Sequence, residues 1–231
     1  MSEFRPSGQG IVVAIDGPSG SGKSSTSRGV AAELGLRYLD TGAQYRALTW
    51  WMLQHGVDVA DPARIAAASL WPRIESGTDP EAPTITVDGR RADREIRGAA
   101  VTEAVSRVAG VPVVRARLIE CQREYIRTAL AEGPGIVAEG RDIAEVVWPV
   151  AQTKIYLTAD QAVRAARRGA ENGAADLAGT QADLARRDAE DARTTRPLDA
   201  APGAVVVDGT HLSLAEVVAE IVAIATASAQ P

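Results

Sequence analysis

The stretch Ile-Val-Val-Ala-Ile-Asp-Gly-Pro-Ser-Gly-Ser-Gly-Lys-Ser, residues 11–24, decides the fold class of this chain. Its first five residues form a continuous apolar run, which is typical of a strand buried on both faces in a parallel sheet. The segment that follows has the order Gly, four residues, Gly, Lys and Ser, and helical spacing begins at its end. A strand, a glycine-rich turn of this spacing and a helix are the context that a phosphate-binding loop requires. The stretch therefore predicts that the chain binds the phosphates of a nucleoside triphosphate.

Each residue type in this loop has a physical reason. Glycines let the backbone curl so that successive amide N–H groups converge on phosphate oxygens, and the N-terminus of the following helix adds a positive partial charge. Lys23 supplies a mobile charge for the β- and γ-phosphates, and the Ser24 hydroxyl is a ligand for Mg²⁺. A flexible turn without a ligand is the alternative, but it would not need one of only two lysines in the chain. The predicted nucleotide-binding residues are Gly17, Pro18, Ser19, Gly20, Ser21, Gly22, Lys23, Ser24 and Ser25.

Strand-like and helical segments alternate along the rest of the chain. Further apolar runs occur at residues 136–138, 155–157 and 205–207, and a weaker one occurs at 37–39. Helical 3.6-residue spacing occurs at residues 24–34, 44–55, 113–130, 161–171, 181–192 and 215–225. Such alternation predicts an α/β fold in which helices cover both faces of a parallel sheet.

Length, charge and cysteine content restrict the class of protein. A chain of 231 residues fits one domain, which buries roughly 70–75% of the surface of the unfolded chain. The net charge of −5 at pH 7 excludes a strongly basic nucleic-acid binder. A single cysteine, Cys121, cannot form an internal disulfide, which is typical of a reduced compartment. Because the sequence lacks a secretory signal and any apolar run long enough to span a membrane, we expect a soluble, cytoplasmic protein. We expect it to be a monomer that binds neither membrane nor nucleic acid.

Two segments interrupt the alternation of strands and helices. Between residues 70 and 97, a Pro- and Gly-rich stretch leads into an apolar run at 84–87, an Asp88-Gly89 turn and a charged return. This order predicts a small β-hairpin insertion. Between residues 164 and 180, three arginines on one helical side precede three glycines, which predicts a hinged flap that is helical at first and loose afterwards.

Polar residues follow three of the predicted strands. Besides the phosphate loop, residues 40–42 end one strand just before Tyr45 and Arg46, and residues 139–142 end another. Ligands gather at the carboxyl ends of strands in a doubly wound sheet, so these groups are expected to share one crevice with the phosphate loop. The alternatives are a local surface ion pair between the last two residues of 139–142 and a purely structural core position for Tyr45.

Arginines from several separate segments indicate a site that holds two phosphorylated substrates. Arginine stays charged and binds phosphate bidentately, which suits two sets of phosphates in one crevice. Arg187 and Asp191 lie four residues apart and so share a helix face, for which a solvated, ion-paired surface is the alternative. No Asp motif that would activate a hydroxyl is recognisable. A phosphate monoester needs none, because its second pKa near about 6 leaves it largely dianionic at pH 7.

Taken together, these motifs resemble the bacterial cytidylate kinases, a family of P-loop nucleoside monophosphate kinases. The resemblance rests on residues 15–25, Tyr-Leu-Asp-Thr-Gly-Ala-Gln-Tyr-Arg at 38–46, residues 106–115, Ala-Glu-Gly-Arg-Asp-Ile at 138–143, and residues 187–198. It covers about residues 11–222 and implies transfer of the γ-phosphate of ATP, with Mg²⁺, to CMP or dCMP. It also implies a single kinase domain over residues 1–231, with a core that holds the P-loop at 17–24, a small NMP-binding insertion at about 60–109 and a mobile lid at about 161–179.

The resemblance further implies roles for individual residues. Ser106, Arg115 and Asp142 correspond to the set that reads cytosine. A carboxylate accepts a hydrogen bond from the N4 amine of cytosine, whereas the carbonyl of uracil would face it unfavourably. The implied clamp for the acceptor phosphate is Arg46 and Arg141, with Thr41 and Tyr45 beside it. The implied sugar-side pair is Arg187 and Asp191, and Arg193 is a further candidate for substrate binding. The implied catalytic residues are Lys23, Arg141, Arg168 and Arg187, with Arg164 a second lid arginine.

The sequence departs from the family pattern at Thr194, where an arginine is usual. Arg193 lies one residue before it and Arg196 two after it, and either could supply the missing charge. Two other functions stay open. One is a P-loop small-molecule kinase with a different phosphorylated or hydroxyl acceptor, for which Thr194 would mark a change of substrate. The other is a nucleotide-binding module without turnover, against which the retained loop, arginines and flap argue.

Overall fold

A computed structural model of the protein describes residues 10–172, 177–194 and 199–228. Within these ranges the chain forms eight strands and eight α-helices. The strands are β1 Ile11–Asp16, β2 Arg37–Asp40, β3 Ile74–Gly77, β4 Thr84–Val87, β5 Arg90–Arg91, β6 Gly135–Gly140, β7 Thr153–Thr158 and β8 Val205–Asp208. The helices are α1 Lys23–Leu34, α2 Thr41–Gln54, α3 Pro62–Ala68, α4 Ala99–Ala109, α5 Pro112–Glu132, α6 Gln161–Asn172, α7 Leu177–Thr194 and α8 Leu214–Ser228.

The central layer is a parallel sheet in the order β2-β6-β1-β7-β8. All six residues of β1 are buried, as expected for an apolar strand that is covered on both faces. Val13 and Ile15 pack with apolar residues of α1 and α8 on one face. Val12 and Ala14 pack with residues of α5 on the other. The predicted α/β fold is confirmed, and so are the five predicted strands of this sheet. Each strand is at least one residue longer than the run that predicted it.

Several helix boundaries differ from the sequence prediction. Helix α2 begins at Thr41, three residues earlier than predicted, because the Asp40 side chain caps it by accepting from Ala43 N at 2.9 Å. Helices α3 and α4 were not predicted, and neither was a π-helical turn at Ile143–Val147. The prediction of a loose flap up to residue 180 was wrong at its end, since α7 already begins at Leu177.

The predicted hairpin insertion is confirmed, and it carries one more strand than predicted. Strands β4 and β5 pair antiparallel across a turn in which Asp88 (φ 51°) and Gly89 (φ 78°) both adopt positive φ. Strand β3 adds to the other side of β4. Ile85 and Val87 are buried in a core cluster that also contains Trp51 of α2, whose indole N–H donates to the Asp88 carboxylate at 2.9 Å. The insertion therefore shares an apolar core with α2.

No helix in the described part of the chain is long and apolar enough to cross a membrane.

Candidate active site

The loop between β1 and α1 is shaped to leave backbone N–H groups available. Gly17 has φ 153°, and a Cβ built there would lie 2.0 Å from the carbonyl oxygen of Leu157 in β7, so only glycine fits. Gly22 (φ 93°) precedes α1 without a side-chain cap for the first helical turn. Uncapped N–H groups and the positive end of the helix together suit an anion. The residues of this loop therefore fit the phosphates of a nucleotide.

Lys23 sits at the centre of the loop. Its ammonium donates to Pro18 O at 2.7 Å and is enclosed, although part of the side chain is exposed. Burial, followed by the nearby Arg141 guanidinium, lowers the pKa of Lys23 to about 7, although Glu139, Asp16 and Asp188 act to raise it. Because burial removes water from the ammonium, its charged form is stabilised when a phosphate binds beside it.

Two buried carboxylates lie beside Lys23, and the sequence analysis gave neither of them a role. Asp16, at the end of β1, accepts from Ile143 N at 2.9 Å and Ala144 N at 2.8 Å, which fixes the turn after residue 142. Burial raises the pKa of Asp16 to about 6, against the effect of those two N–H groups. Glu139, near the end of β6, accepts from Tyr38 Oη, and burial, followed by the nearby Asp40, raises its pKa to about 7. Both could have been found as acids that terminate apolar strand runs.

The donor set beside the loop also fits a magnesium ion. The Ser24 hydroxyl lies within hydrogen-bonding reach of Glu139, and both line the same cavity. In P-loop proteins a loop hydroxyl and an acid at a neighbouring strand end hold Mg²⁺ on the nucleotide phosphates. Ser24 and Glu139 are the residues present for such a site.

The cavity next to the loop has a volume of about 210 Å³ and brings together most of the predicted site. The predicted residues that line it are Ser19, Gly20, Gly22, Lys23, Ser24, Ser25, Thr41, Tyr45, Arg46, Ser106, Arg115, Arg141, Asp142 and Arg168. Gly17, Pro18 and Ser21 belong to the loop but lie behind this lining. Arg97, at the end of a 3₁₀ turn before α4, also lines the cavity and was missed, because its insertion was predicted without its helices.

One wall of the cavity holds the three residues expected to read a base. Arg115 of α5 and Asp142 after β6 form an ion pair whose side chains are only 16% and 12% exposed. Ser106 of α4 is buried beside the same cavity. Tyr45 lies near both charges, and burial raises its pKa to about 12. Tyr45 also packs against the core cluster of the insertion, so it serves both the site and the core that the sequence offered as alternatives.

Hydroxyl and guanidinium groups from α2 and from the end of β6 also line the cavity, and each is held by a hydrogen bond. Thr41 donates to Glu139 O at 2.7 Å, which attaches the start of α2 to the end of β6. Arg46 donates to Ile96 O at 3.2 Å and to Thr102 Oγ1 at 3.0 Å, which ties it to the insertion. Arg141 donates to Gly17 O at 3.0 Å and so reaches back to the phosphate loop.

The two arginines of α6 that the resemblance assigned to a lid lie in different places. Arg168 lines the cavity, whereas Arg164 is 9% exposed and lies against the loop, donating to Ser19 O at 2.8 Å and to Asp188 at 2.6 Å. Asp188 of α7 also accepts from Ser19 N at 3.1 Å. The sequence analysis gave Asp188 no role, because only tertiary packing distinguishes it from the other acids of the same helix.

Three predicted residues of α7, Arg187, Asp191 and Arg193, have side chains outside the described part of the chain, and so does Arg196. Their predicted contacts with sugar and phosphate stay predictions.

Comparison with known proteins finds a matching family and many similar chains. The family model described as cytidylate kinase matches residues 13–227. A cytidylate kinase of Streptomyces griseus is 56% identical over 209 residues, covering 90% of this chain and 89% of that protein. One of Streptomyces coelicolor is 55% identical over 92% of this chain and 91% of its own length. One of Nocardia farcinica is 48% identical over 96% and 94%.

Proposed function

We propose that this chain, which belongs to the cytidylate kinase family and is a phosphotransferase that acts on nucleotides, has CMP or dCMP as its acceptor. In the proposed reaction it transfers the γ-phosphate of Mg-ATP to that acceptor. The products are ADP and CDP or dCDP. The observation that carries the proposal is the Arg115–Asp142 ion pair in the wall of a cavity that begins at Lys23.

The base specificity follows from the chemistry of that pair. The Asp142 carboxylate accepts a hydrogen bond from the N4 amine of cytosine, and the Arg115 guanidinium donates to the acceptors on the ring. Uracil has a carbonyl at position 4, which would point a lone pair at the carboxylate. Ser106 adds a hydroxyl in the same wall. Since both side chains are mostly buried, water screens little of the repulsion between the Asp142 carboxylate and the uracil carbonyl, and this cost discriminates against UMP.

The phosphate groups meet between Lys23 and the arginines. Arg46 and Arg141, with Thr41 and Tyr45 beside them, hold the acceptor phosphate, and Arg187, Asp191 and Arg193 are assigned to the sugar and phosphate from the side of α7. The loop N–H groups and Lys23 hold the β- and γ-phosphates of ATP. Mg²⁺, held at Ser24, neutralises charge on those phosphates.

In the reaction, a phosphate oxygen of CMP forms a bond to the γ-phosphorus while the bond from that phosphorus to the β-bridging oxygen breaks. ADP leaves with the electron pair of the broken bond. The acceptor oxygen is already anionic near neutral pH, so the protein does not need to remove a proton from it. Lys23, Arg141 and Arg168 stabilise the charge spread over the transferred group, and closure of α6 and α7 over the cavity excludes water that would hydrolyse ATP.

The test is an ADP-release assay with Mg-ATP and CMP, dCMP, UMP, AMP and GMP as acceptors. We expect rapid turnover with CMP or dCMP and at least about tenfold lower kcat/KM with UMP. Preference for another monophosphate would overturn the base assignment. ATP binding without ADP release for any acceptor would overturn the proposed reaction as a whole.

A further inference from the structure

Asp188 of α7 is a buried carboxylate to which neither the motifs nor the proposed reaction assigns a role. Its side chain is 5% exposed. Three groups from separate segments donate to it: Ser19 N to Oδ1 at 3.1 Å, Arg141 Nη1 to Oδ1 at 3.4 Å and Arg164 Nη1 to Oδ2 at 2.6 Å. A carboxylate this deeply buried is tolerated only with compensating charge and hydrogen bonds, and these three donors supply both.

Both arginines that contact Asp188 also bind the backbone of the phosphate loop. Arg141 donates to Gly17 O at 3.0 Å, and Arg164 donates to Ser19 O at 2.8 Å. The peptide groups on either side of Ser19 are therefore held from two directions, by Asp188 at the nitrogen and by Arg164 at the oxygen. Asp188 thus connects α6, α7 and the end of β6 to the loop that binds phosphate.

Asp188 lies behind the reacting groups rather than among them. Arg141 lines the cavity, whereas Asp188 does not. Any effect of Asp188 on phosphoryl transfer must therefore pass through the groups that it holds. An arginine on a long side chain needs such a partner to keep one orientation, because a misplacement of about 1 Å can cost about 100-fold in rate. Asp188 also offsets the repulsion that Arg141, Arg164 and Lys23 exert on one another.

We propose that Asp188 is a positioning residue for phosphoryl transfer, which holds the Arg141 guanidinium and, through the Ser19 peptide, the backbone of the phosphate loop in the geometry that the transfer requires. This inference rests on the proposed function, since it assumes that Arg141 and the loop face the acceptor and donor phosphates. Through Asp188, α7 becomes part of the phosphate site.

The test is the variant Asp188→Asn, which keeps the size of the side chain and an acceptor for Ser19 N–H but removes the charge that pairs with both arginines. We expect kcat to fall about 30- to 100-fold, with changes in the KM values for CMP and ATP of less than about threefold. The matched control is Glu190→Gln on the same helix, which removes a carboxylate from a more exposed ion pair with Arg186 at 3.1 Å. We expect that control to keep kcat within about twofold of the wild-type value.

A purely structural role gives a different pattern. It predicts a lowered melting temperature with wild-type kcat per folded molecule, and that result would overturn the proposal. Should Asp188→Asn not fold, Asp188→Glu keeps the charge and moves it by one methylene group. A folded Glu variant with about tenfold lower kcat would support positioning, and one with wild-type kcat would overturn it.

The wild-type protein in the same assay separates this inference from the proposed function. Wild-type preference for a monophosphate other than CMP would overturn the base assignment, but kcat could still be compared between wild type and Asp188→Asn with that acceptor. No turnover by the wild type with any monophosphate would overturn both.

Discussion

The two ends of the cavity handle buried charge in opposite ways. At the end where we propose that the base binds, the Arg115 and Asp142 side chains neutralise each other across 27 residues of sequence. At the end that faces the phosphates, the charges are crowded: burial lowers the pKa of Lys23 to about 7 and raises those of Asp16 and Glu139 to about 6 and about 7. The charges at the first end balance each other without substrate, whereas the charged form of Lys23 at the second end is stabilised when an anion binds. Recognition and transfer can therefore be tested separately.

The largest expected effect is at the transfer end. Lys23→Ala removes the ammonium that Asp16, Glu139 and Asp188 surround. We expect kcat to fall by about 10³-fold or more, because a preorganised charge at the transferred group is lost in an enclosed site. Steady-state turnover with Mg-ATP and CMP measures it, with circular dichroism to show an intact fold. Turnover within about tenfold of wild type would remove Lys23 from the mechanism.

A smaller effect is expected at the recognition end. Asp142→Ala leaves Arg115 without its partner and removes the acceptor for the N4 amine. We expect the preference for CMP over UMP, as a ratio of kcat/KM, to fall by about 10- to 100-fold, while the affinity for ATP changes little. Competition between CMP and UMP measures the ratio, and ATP titration serves as the control. If the preference survived in the folded variant, the cytosine assignment would be wrong.

The crowding at the transfer end also predicts a pH dependence. The pKa of Lys23 is lowered, so the free protein holds the charged form below about pH 7 and loses it above; Arg141 favours that loss, and Asp16, Glu139 and Asp188 oppose it. We expect kcat/KM for ATP to fall by up to about tenfold per pH unit above 7, and kcat to stay level to higher pH, because bound phosphates raise the pKa of Lys23. A kcat/KM that stays constant from pH 7 to 9 would contradict the lowered pKa.

The smallest effect concerns the hydrogen bond that joins the start of α2 to the end of β6. Thr41→Val removes the hydroxyl that donates to Glu139 O at 2.7 Å and leaves that buried carbonyl without this donor. We expect a loss of about 1 kcal/mol in the free energy of unfolding, measured by denaturant titration. Thr41→Ser is the matched control, since it retains the hydroxyl and should stay close to the wild-type stability. Equal stability of the two variants would mean that this hydrogen bond does not contribute to the free energy of unfolding.

The sequence predicts the transfer end better than the surroundings that support it. The apolar run of β1 and the glycine spacing determine the phosphate loop locally, and polar residues at strand ends mark Thr41, Arg141 and Asp142, because parallel strands end at one edge. Arg164 and Arg168, in contrast, share one helical face in the sequence, and only the packing of α6 on the loop sends the first to Ser19 and the second to the cavity. Asp188 was missed for the same reason: its role depends on Ser19, Arg141 and Arg164, which lie far away in the chain.

The fit of Gly17 against Leu157 has a genetic consequence. The clash comes from a backbone oxygen of a central strand, so no rearrangement of a side chain can relieve it. Glycine is the one amino acid without a Cβ, and every missense change in its codon adds that atom. In a population of this gene, codon 17 is therefore expected to vary only at its silent third base, whereas codon 41 tolerates exchange between threonine and serine.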